Sequence, residues 1–222
     1  MGARPVGSED SFGGYRTRLV EQLQAKGIKD LAVLNAIAHV PRHLFVPESV
    51  RHRAYEDTAL PLTSGQTISQ PWVQARSLEL LRLTGKEKVL EVGAGSGYQT
   101  ALLATMASVV FAVERVTSLA YGARAALEAA GISNVTVLVG DGTLGWRSCA
   151  PFDAIVVAAA SPEVPAPLLE QLSPHGRLVI PLGRGDVQGL TLIERRNGDV
   201  VETHIADVRF VPLIGRHGLT ES

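Results

Sequence analysis

VLEVGAGSG, residues 89–97, is an apolar run broken by one carboxylate that leads into glycine at every second position. Val89, Leu90 and Val92 read as a buried strand. Gly93, Gly95 and Gly97 lack the Cβ that would bar close approach of the backbone, and they tolerate positive φ. The residues that follow, YQTALLATMA, have helical spacing. The unit is therefore strand, glycine turn, helix, the arrangement by which an open α/β sheet holds a nucleotide-like cofactor at the carboxyl end of a strand.

The spacing narrows the ligand. A dinucleotide fingerprint wants glycine at relative positions 1, 3 and 6. Here the glycines fall at 1, 3 and 5, and Tyr98 holds position 6. A P-loop ends in Gly-Lys-Ser/Thr, and no lysine follows Lys88 in this chain. The turn lacks a phosphate-binding side chain, while Glu91 sits two residues before the first glycine. A carboxylate there suits a cofactor that is positively charged and carries no phosphate. The stretch resembles motif I of the S-adenosylmethionine-dependent methyltransferases, an acid followed by alternating glycines. A glycine turn that binds nothing is the plain alternative, but three alternating glycines lose backbone entropy that a plain turn need not lose.

The pattern outward from this stretch predicts a doubly wound α/β fold. Strands are expected at 88–92, 109–113, 135–139, 154–158 and 177–182, with helices at 98–106, 117–130 and 165–172 between them. The strands are continuous apolar runs, as strands covered on both faces should be. Strand alternating with helix implies a mostly parallel, right-handed sheet. Beyond Pro181 the segments 189–195, 200–208 and 210–213 read as strands without long helices between them. Asn197-Gly198-Asp199 is a hairpin signal, so antiparallel C-terminal strands are expected. Upstream, helices are expected at 15–26, at 31–38 with Asp30 as cap, and from Pro71, a first-turn proline, to 83. PRHLFVPE, residues 41–48, is bounded by prolines and is expected to be a non-helical connector or a short turn. The expected organisation is a disordered extension over 1–14 and one domain over 15–222. Within it, 15–84 is an N-terminal helical and substrate-loop segment, 85–183 the cofactor-binding core and 184–222 the antiparallel strands and tail.

Composition excludes several classes. The chain has 222 residues, 45% hydrophobic and 19% charged, ordinary for a globular protein with a sizeable core. A net charge of −1 and the lack of basic runs argue against a nucleic-acid partner. No apolar stretch of membrane-spanning length occurs. Cys149 is the only cysteine, so a reducing, cytoplasmic setting is expected. The six histidines show no metal-ligand spacing, so no metal site is expected. Trp72 and Trp146 read as packing residues.

Three features gather at the carboxyl ends of the expected strands. The glycine turn is the first. Glu114 closes the second strand of the alternation, 21 positions after Gly93, near the roughly 20 residues expected for a ribose-binding acid. Its carboxylate can accept both ribose hydroxyls. Asp141-Gly142 follows the third strand, where an acid can accept from an adenine amine and the glycine lets the ring lie against backbone. As a solvated acid and an ordinary Asp-Gly turn, these two residues have bland alternatives. Upstream lies GQTISQP, residues 65–71, a polar loop with hydroxyls at Thr67 and Ser69. Ser69 could simply cap the helix that starts at Pro71. It has no GxSxG elbow, so a hydrolase serine is not indicated.

Taken together, PRHLFVPE, YEDTALPL, GQTISQP, VLEVGAGSGYQTALLA, VERV, GDG, PFDAIVVAAA, LSPHGRLVIPLG and VRFVPL resemble the protein-L-isoaspartate O-methyltransferase family, from about residue 15 to residue 213. GQTISQP is the most restrictive of these segments. The resemblance implies methyl transfer from S-adenosyl-L-methionine, leaving S-adenosyl-L-homocysteine, to the free α-carboxylate of L-isoaspartyl residues in damaged proteins and peptides. Such an oxygen is ionised at neutral pH, so no strong general base is needed, and catalysis rests on alignment. By the same resemblance Ser69 is the active-site serine, orienting the acceptor without forming a covalent intermediate. Gln66, Thr67 and Ile68 match the loop that lies across cofactor and substrate. Glu91, Gly93, Ala94, Gly95, Ser96, Gly97, Glu114, Asp141 and Gly142 match the cofactor site. A monomer with no nucleic-acid or membrane partner is implied. The chain departs from the family pattern at Thr143-Leu144-Gly145-Trp146 and at Ala160-Ser161. The second reading is a methyltransferase on the same frame acting on another carboxylate or a small molecule.

Overall fold

The computed structural model describes residues 12–196 and 199–220. The expected disorder of the extension falls mostly on residues 1–11, outside the described residues. The first helix, α1 (Gly13–Ala25), starts two residues earlier than the spacing predicts, and Phe12 stacks on the His43 ring at 4.3 Å. α2 (Leu31–His39) follows, with the Asp30 carboxylate accepting from the Ala32 and Val33 N–H groups as expected. PRHLFVPE forms the short turn that its prolines allow. Residues Arg42–Phe45 form a 3-10 turn, and Glu48–Arg53 a second one. Proline bars α-helix continuation here but permits short i to i+3 turns.

A two-stranded antiparallel ribbon, β1 (Leu60–Pro61) and β2 (Thr67–Ile68), carries GQTISQP up to α3 (Pro71–Leu81). Then comes the alternation: β3 (Lys88–Val92), α4 (Tyr98–Met106), β4 (Val109–Glu114), α5 (Thr117–Ala129), β5 (Val135–Val139), β6 (Phe152–Val157), the five-residue α6 (Ala166–Glu170) and β7 (Leu172–Leu182). β8 (Gln188–Arg196) and β9 (Asp199–Val208) complete the sheet. They pair as an antiparallel hairpin up to Arg196 and Asp199; of the expected turn, residues 197 and 198 lie outside the described residues.

The seven strands run in the order β5-β4-β3-β6-β7-β8-β9. The first five pair in parallel, and β7-β8-β9 pair antiparallel. The expected strand over 210–213 is absent as such. That segment makes one bridge, Pro212 to Ala160, beyond the end of β6. Successive side chains of β3 serve opposite faces. Val89 joins the core under α1 to α5, while Leu90 and Val92 join a second core with Phe152, Leu168 and Ile180. From β3 the chain winds to β4 and β5, then returns to β6 on β3's other side. The strand order therefore reverses between β3 and β6, where an open α/β sheet leaves a crevice.

Candidate active site

The glycine turn leaves the end of β3 in that crevice. Gly93, Gly95 and Gly97 have φ of +88°, +55° and +84°, values that side-chain-bearing residues rarely adopt. The Gly93 and Ala94 N–H groups both donate to the Val113 carbonyl, at 2.8 and 3.2 Å, which draws the turn onto β4. Gly97 serves a different purpose from the expected one. An alanine Cβ there would stand 3.1 Å from the Ala123 Cβ and 3.2 Å from its Cα. Gly97 lets α4 start against α5 and does not line the crevice.

A cavity of about 650 Å³ opens at this point. Glu91, Gly93, Ala94, Gly95 and Ser96 line it from β3 and the turn, with Glu114 and Gly142 beyond. Gln66, Thr67, Ile68 and Ser69 line it from β2 and the loop that follows. The 208–214 segment, with Phe210, Val211 and Pro212, closes another side. Residues that the sequence reading kept apart as cofactor loop and substrate loop thus share one cavity.

Glu114 ends β4 with its carboxylate nearly buried. Oε2 accepts from the Gly95 N–H at 2.9 Å and Oε1 from the Val116 N–H at 2.8 Å. Each oxygen keeps a further lone pair, so the acid both shapes the turn and can still accept from a ligand.

Glu91 is fully buried. It faces α4, where Thr100 Oγ1 donates to its Oε2. Neither its Oε1 nor the nearby Gln99 Nε2 makes a well-formed hydrogen bond, although the Gln99 amide still favours the ionised acid. Burial outweighs the hydrogen bonds and, helped slightly by Glu114, pushes the Glu91 carboxyl up to about 8. The expected carboxylate is thus an uncharged acid at neutral pH until a cation meets it. The orphaned oxygen and the glycine cradle fit a cationic, phosphate-free ligand such as S-adenosylmethionine.

Asp141 is engaged by the protein's own donors. Its Oδ1 accepts from the Thr143 N–H and hydroxyl, at 2.9 and 2.7 Å, and its Oδ2 from the Arg216 N–H at 2.8 Å. It caps a 3-10 turn and ties down the C-terminal segment, and it does not line the cavity. Burial alone would raise this carboxyl, but the N–H and hydroxyl donors outweigh it and hold the group below the usual carboxylate range. Aspartate two residues before a turn N–H is the simplest Asx geometry, and it is formed here. Gly142 lines the cavity as expected; a Cβ on it would sit 2.5 Å from Val92 Cγ1.

Ser69 does not cap α3. The N-cap is Gln70, without a side-chain cap bond. Asp57 supplies that bond from a distance, its Oδ1 accepting from the Trp72 N–H at 2.8 Å. Lys26 pairs with the same carboxylate at 2.5 Å. The Ser69 hydroxyl is therefore not spent on the helix. Its carbonyl is held instead by Arg42, whose Nη2 donates to it at 2.8 Å. Sequence reasoning missed Asp57, Arg42 and Gln74. Asp57 and Arg42 lie inside quoted segments, but nothing in a sequence marks a charged residue as buried. Trp146 packs edge-on to Phe111 at 5.4 Å, as a core residue. Trp72 packs against the larger core as expected and also lines the cavity.

The chain matches the family model described as "Protein-L-isoaspartate(D-aspartate) O-methyltransferase" over residues 15–218. A protein-L-isoaspartate O-methyltransferase of Roseiflexus sp. is 52% identical over 210 residues, covering 94% of this chain and 96% of its own length. That of Syntrophus aciditrophicus is 47% identical over 213 residues, covering 94% and 98%. Among solved structures, one from Plasmodium falciparum in complex with S-adenosyl-L-homocysteine superposes with a TM-score of 0.80 at 29% identity, covering 90% of this chain and 98% of that one. Another protein-L-isoaspartate O-methyltransferase superposes with a TM-score of 0.83 at 28% identity, covering 91% and 67%.

Proposed function

The chain belongs to the protein-L-isoaspartate(D-aspartate) O-methyltransferase family, and from that premise we propose how its residues carry the reaction. The protein is an S-adenosylmethionine-dependent enzyme of isoaspartate repair. The cofactor supplies a methyl group on a sulfonium, electrophilic without protein assistance. The observation that supports the assignment best is that Ser69 lines the same cavity as the glycine turn.

In this reading Gly93, Ala94, Gly95 and Ser96 cradle the cofactor and Glu114 accepts from its ribose. Gly142 gives its ring a flat wall. Glu91 Oε1, the orphaned acceptor, meets the cationic end and gives up its proton as it does so. The Ser69 hydroxyl donates to the acceptor carboxylate and turns one oxygen toward the methyl. Gln66, Thr67 and Ile68 keep water from the approach. No side chain need remove a proton from the acceptor, because an isoaspartyl carboxylate is ionised at neutral pH. The catalytic factor is alignment of two charged reactants that one cavity holds at reacting distance.

The substrates are isoaspartyl proteins and peptides. We read residues 15–222 as one domain acting as a monomer, without nucleic-acid or membrane partners. Among the described residues no helix is long and apolar enough to cross a membrane. The cytoplasmic setting rests on the solitary Cys149.

The test is methyl transfer to a synthetic isoaspartyl peptide and to its aspartyl twin. The isoaspartyl peptide is expected to be methylated and the aspartyl peptide left alone. Equal labelling of both, or of a small free carboxylic acid in preference, would move the substrate class elsewhere.

A further inference from the structure

PRHLFVPE contributes a residue that the reaction as described does not use. Arg42 is fully buried, beneath the loop that carries Ser69. Its Nη1 donates to Gln74 Oε1 at 2.7 Å, and its Nη2 to the Ser69 carbonyl at 2.8 Å. Its guanidinium carbon lies 4.6 Å from the centre of the Tyr98 ring. Nε has no hydrogen-bond partner, and no carboxylate stands within ion-pair distance among the described residues.

The carboxylate that acts on it, Asp57, is already paired with Lys26. A buried charge normally keeps a countercharge, because desolvation is expensive. Burial pushes the Arg42 guanidinium down to about 10, which still leaves it charged at neutral pH. A structural role alone would be served by an apolar side chain of the same shape, without the desolvation. The contacts indicate what the charge is kept for. Ser69 belongs to the loop over the cavity. Tyr98 is the first residue of α4, directly after Gly97. Gln74 lies on α3, just past the loop. The planar fork spans all three, and only arginine has donors in that fixed geometry.

We propose that Arg42 is a positioning residue that fixes Ser69 relative to the glycine turn, so that the acceptor carboxylate meets the methyl in line. It touches neither reactant. It acts through the Ser69 carbonyl on one side and the Tyr98 ring on the other. The proposal rests on the reading of Ser69 given above.

Arg42→Lys keeps the charge and can reach one acceptor, not both. Cofactor affinity by calorimetry is expected to change less than about threefold, whereas kcat with isoaspartyl peptide falls by about 10- to 100-fold, the scale of a small misplacement of reacting groups. The decisive measurement is the pair with Ser69→Ala. If Arg42 works through Ser69, the double variant is no slower than Ser69→Ala alone to within about threefold, a failure of additivity expected of groups acting as one unit. Multiplying losses, or a wild-type kcat in Arg42→Lys, would overturn the proposal. Should Arg42→Lys fail to fold, Gln74→Met, which removes one arm of the brace, is expected to show a smaller kcat loss with the same non-additivity; multiplying losses or a wild-type kcat there overturn the proposal too. The underlying reading fails separately: a wild-type kcat in Ser69→Ala removes Ser69 from the reaction whatever Arg42 does.

Discussion

At Glu91 burial and chemistry pull in opposite directions. The neutral acid is favoured in the ligand-free fold, and the ionised one beside a cation. Because its pKa is raised from 4.5 to about 8, the native state binds this proton more tightly than the unfolded chain does. This group's contribution to stability therefore declines as pH climbs from 4.5 toward 8. Cofactor binding has the opposite slope. Below about pH 8 it must expel the Glu91 proton, so affinity is expected to rise by up to about tenfold per pH unit and then level off. Calorimetry in two buffers of different ionisation heat would count the proton, and Glu91→Gln should release none. Identical proton counts for the two proteins would remove Glu91 from the linkage. Ser69→Ala is expected to lower turnover far more than cofactor affinity; lost cofactor binding would place Ser69 in the cofactor shell. Glu114→Ala is expected to weaken cofactor binding by about 2–3 kcal/mol, and an unchanged affinity would make the acid a bystander. Glu91, Glu114 and Ser69 could be found in the sequence because a motif surrounds each of them. Arg42 and Asp57 could not, since burial of a charge depends on what folds over it.

Among the elements, the glycine turn is the one in which residue type and geometry are hardest to separate. Gly97→Ala meets two obstacles, a φ of +84° and the backbone of Ala123 at 3.2 Å. Gly131, just past α5, has a φ of +72° and nothing within 4 Å. Gly131→Ala is expected to lose about 1–2 kcal/mol from the left-handed conformation alone, and Gly97→Ala measurably more, in urea unfolding. Equal losses would mean that α5 yields freely to the added methyl. Element by element, the parallel strands and α4 were legible because each is a long apolar run or a sustained period. β3, α4 and β5 match their expected bounds. The short turn of PRHLFVPE was legible from its prolines, whereas the single bridge at Pro212 was not, because it depends on the end of β6. The tie from Asp141 to the C-terminal segment was illegible for a related reason. Its partner Arg216 lies 75 positions away, beyond the reach of any local pattern.

Across the whole molecule, ligand binding and stability are coupled through the cavity. S-adenosylhomocysteine at a hundred times its dissociation constant adds about 2.7 kcal/mol to the folded state, which corresponds to roughly 5–10 °C in Tm for a chain of this size. A scanning-calorimetry series in ligand concentration reads this directly, and a flat Tm would separate the cavity from the ligand. The sheet order has a further consequence, for the making of the protein. The cavity's walls come from 66–69, from 91–96 and from 208–214. The last of these reaches its place only after β8 and β9 have been added at the far edge of the sheet. A ribosome-bound chain halted before β9 holds the glycine turn and the serine loop yet lacks the wall carried by Phe210 and Val211. Contacts this distant in sequence slow the folding step that creates them. A complete cavity therefore requires the chain out to residue 214.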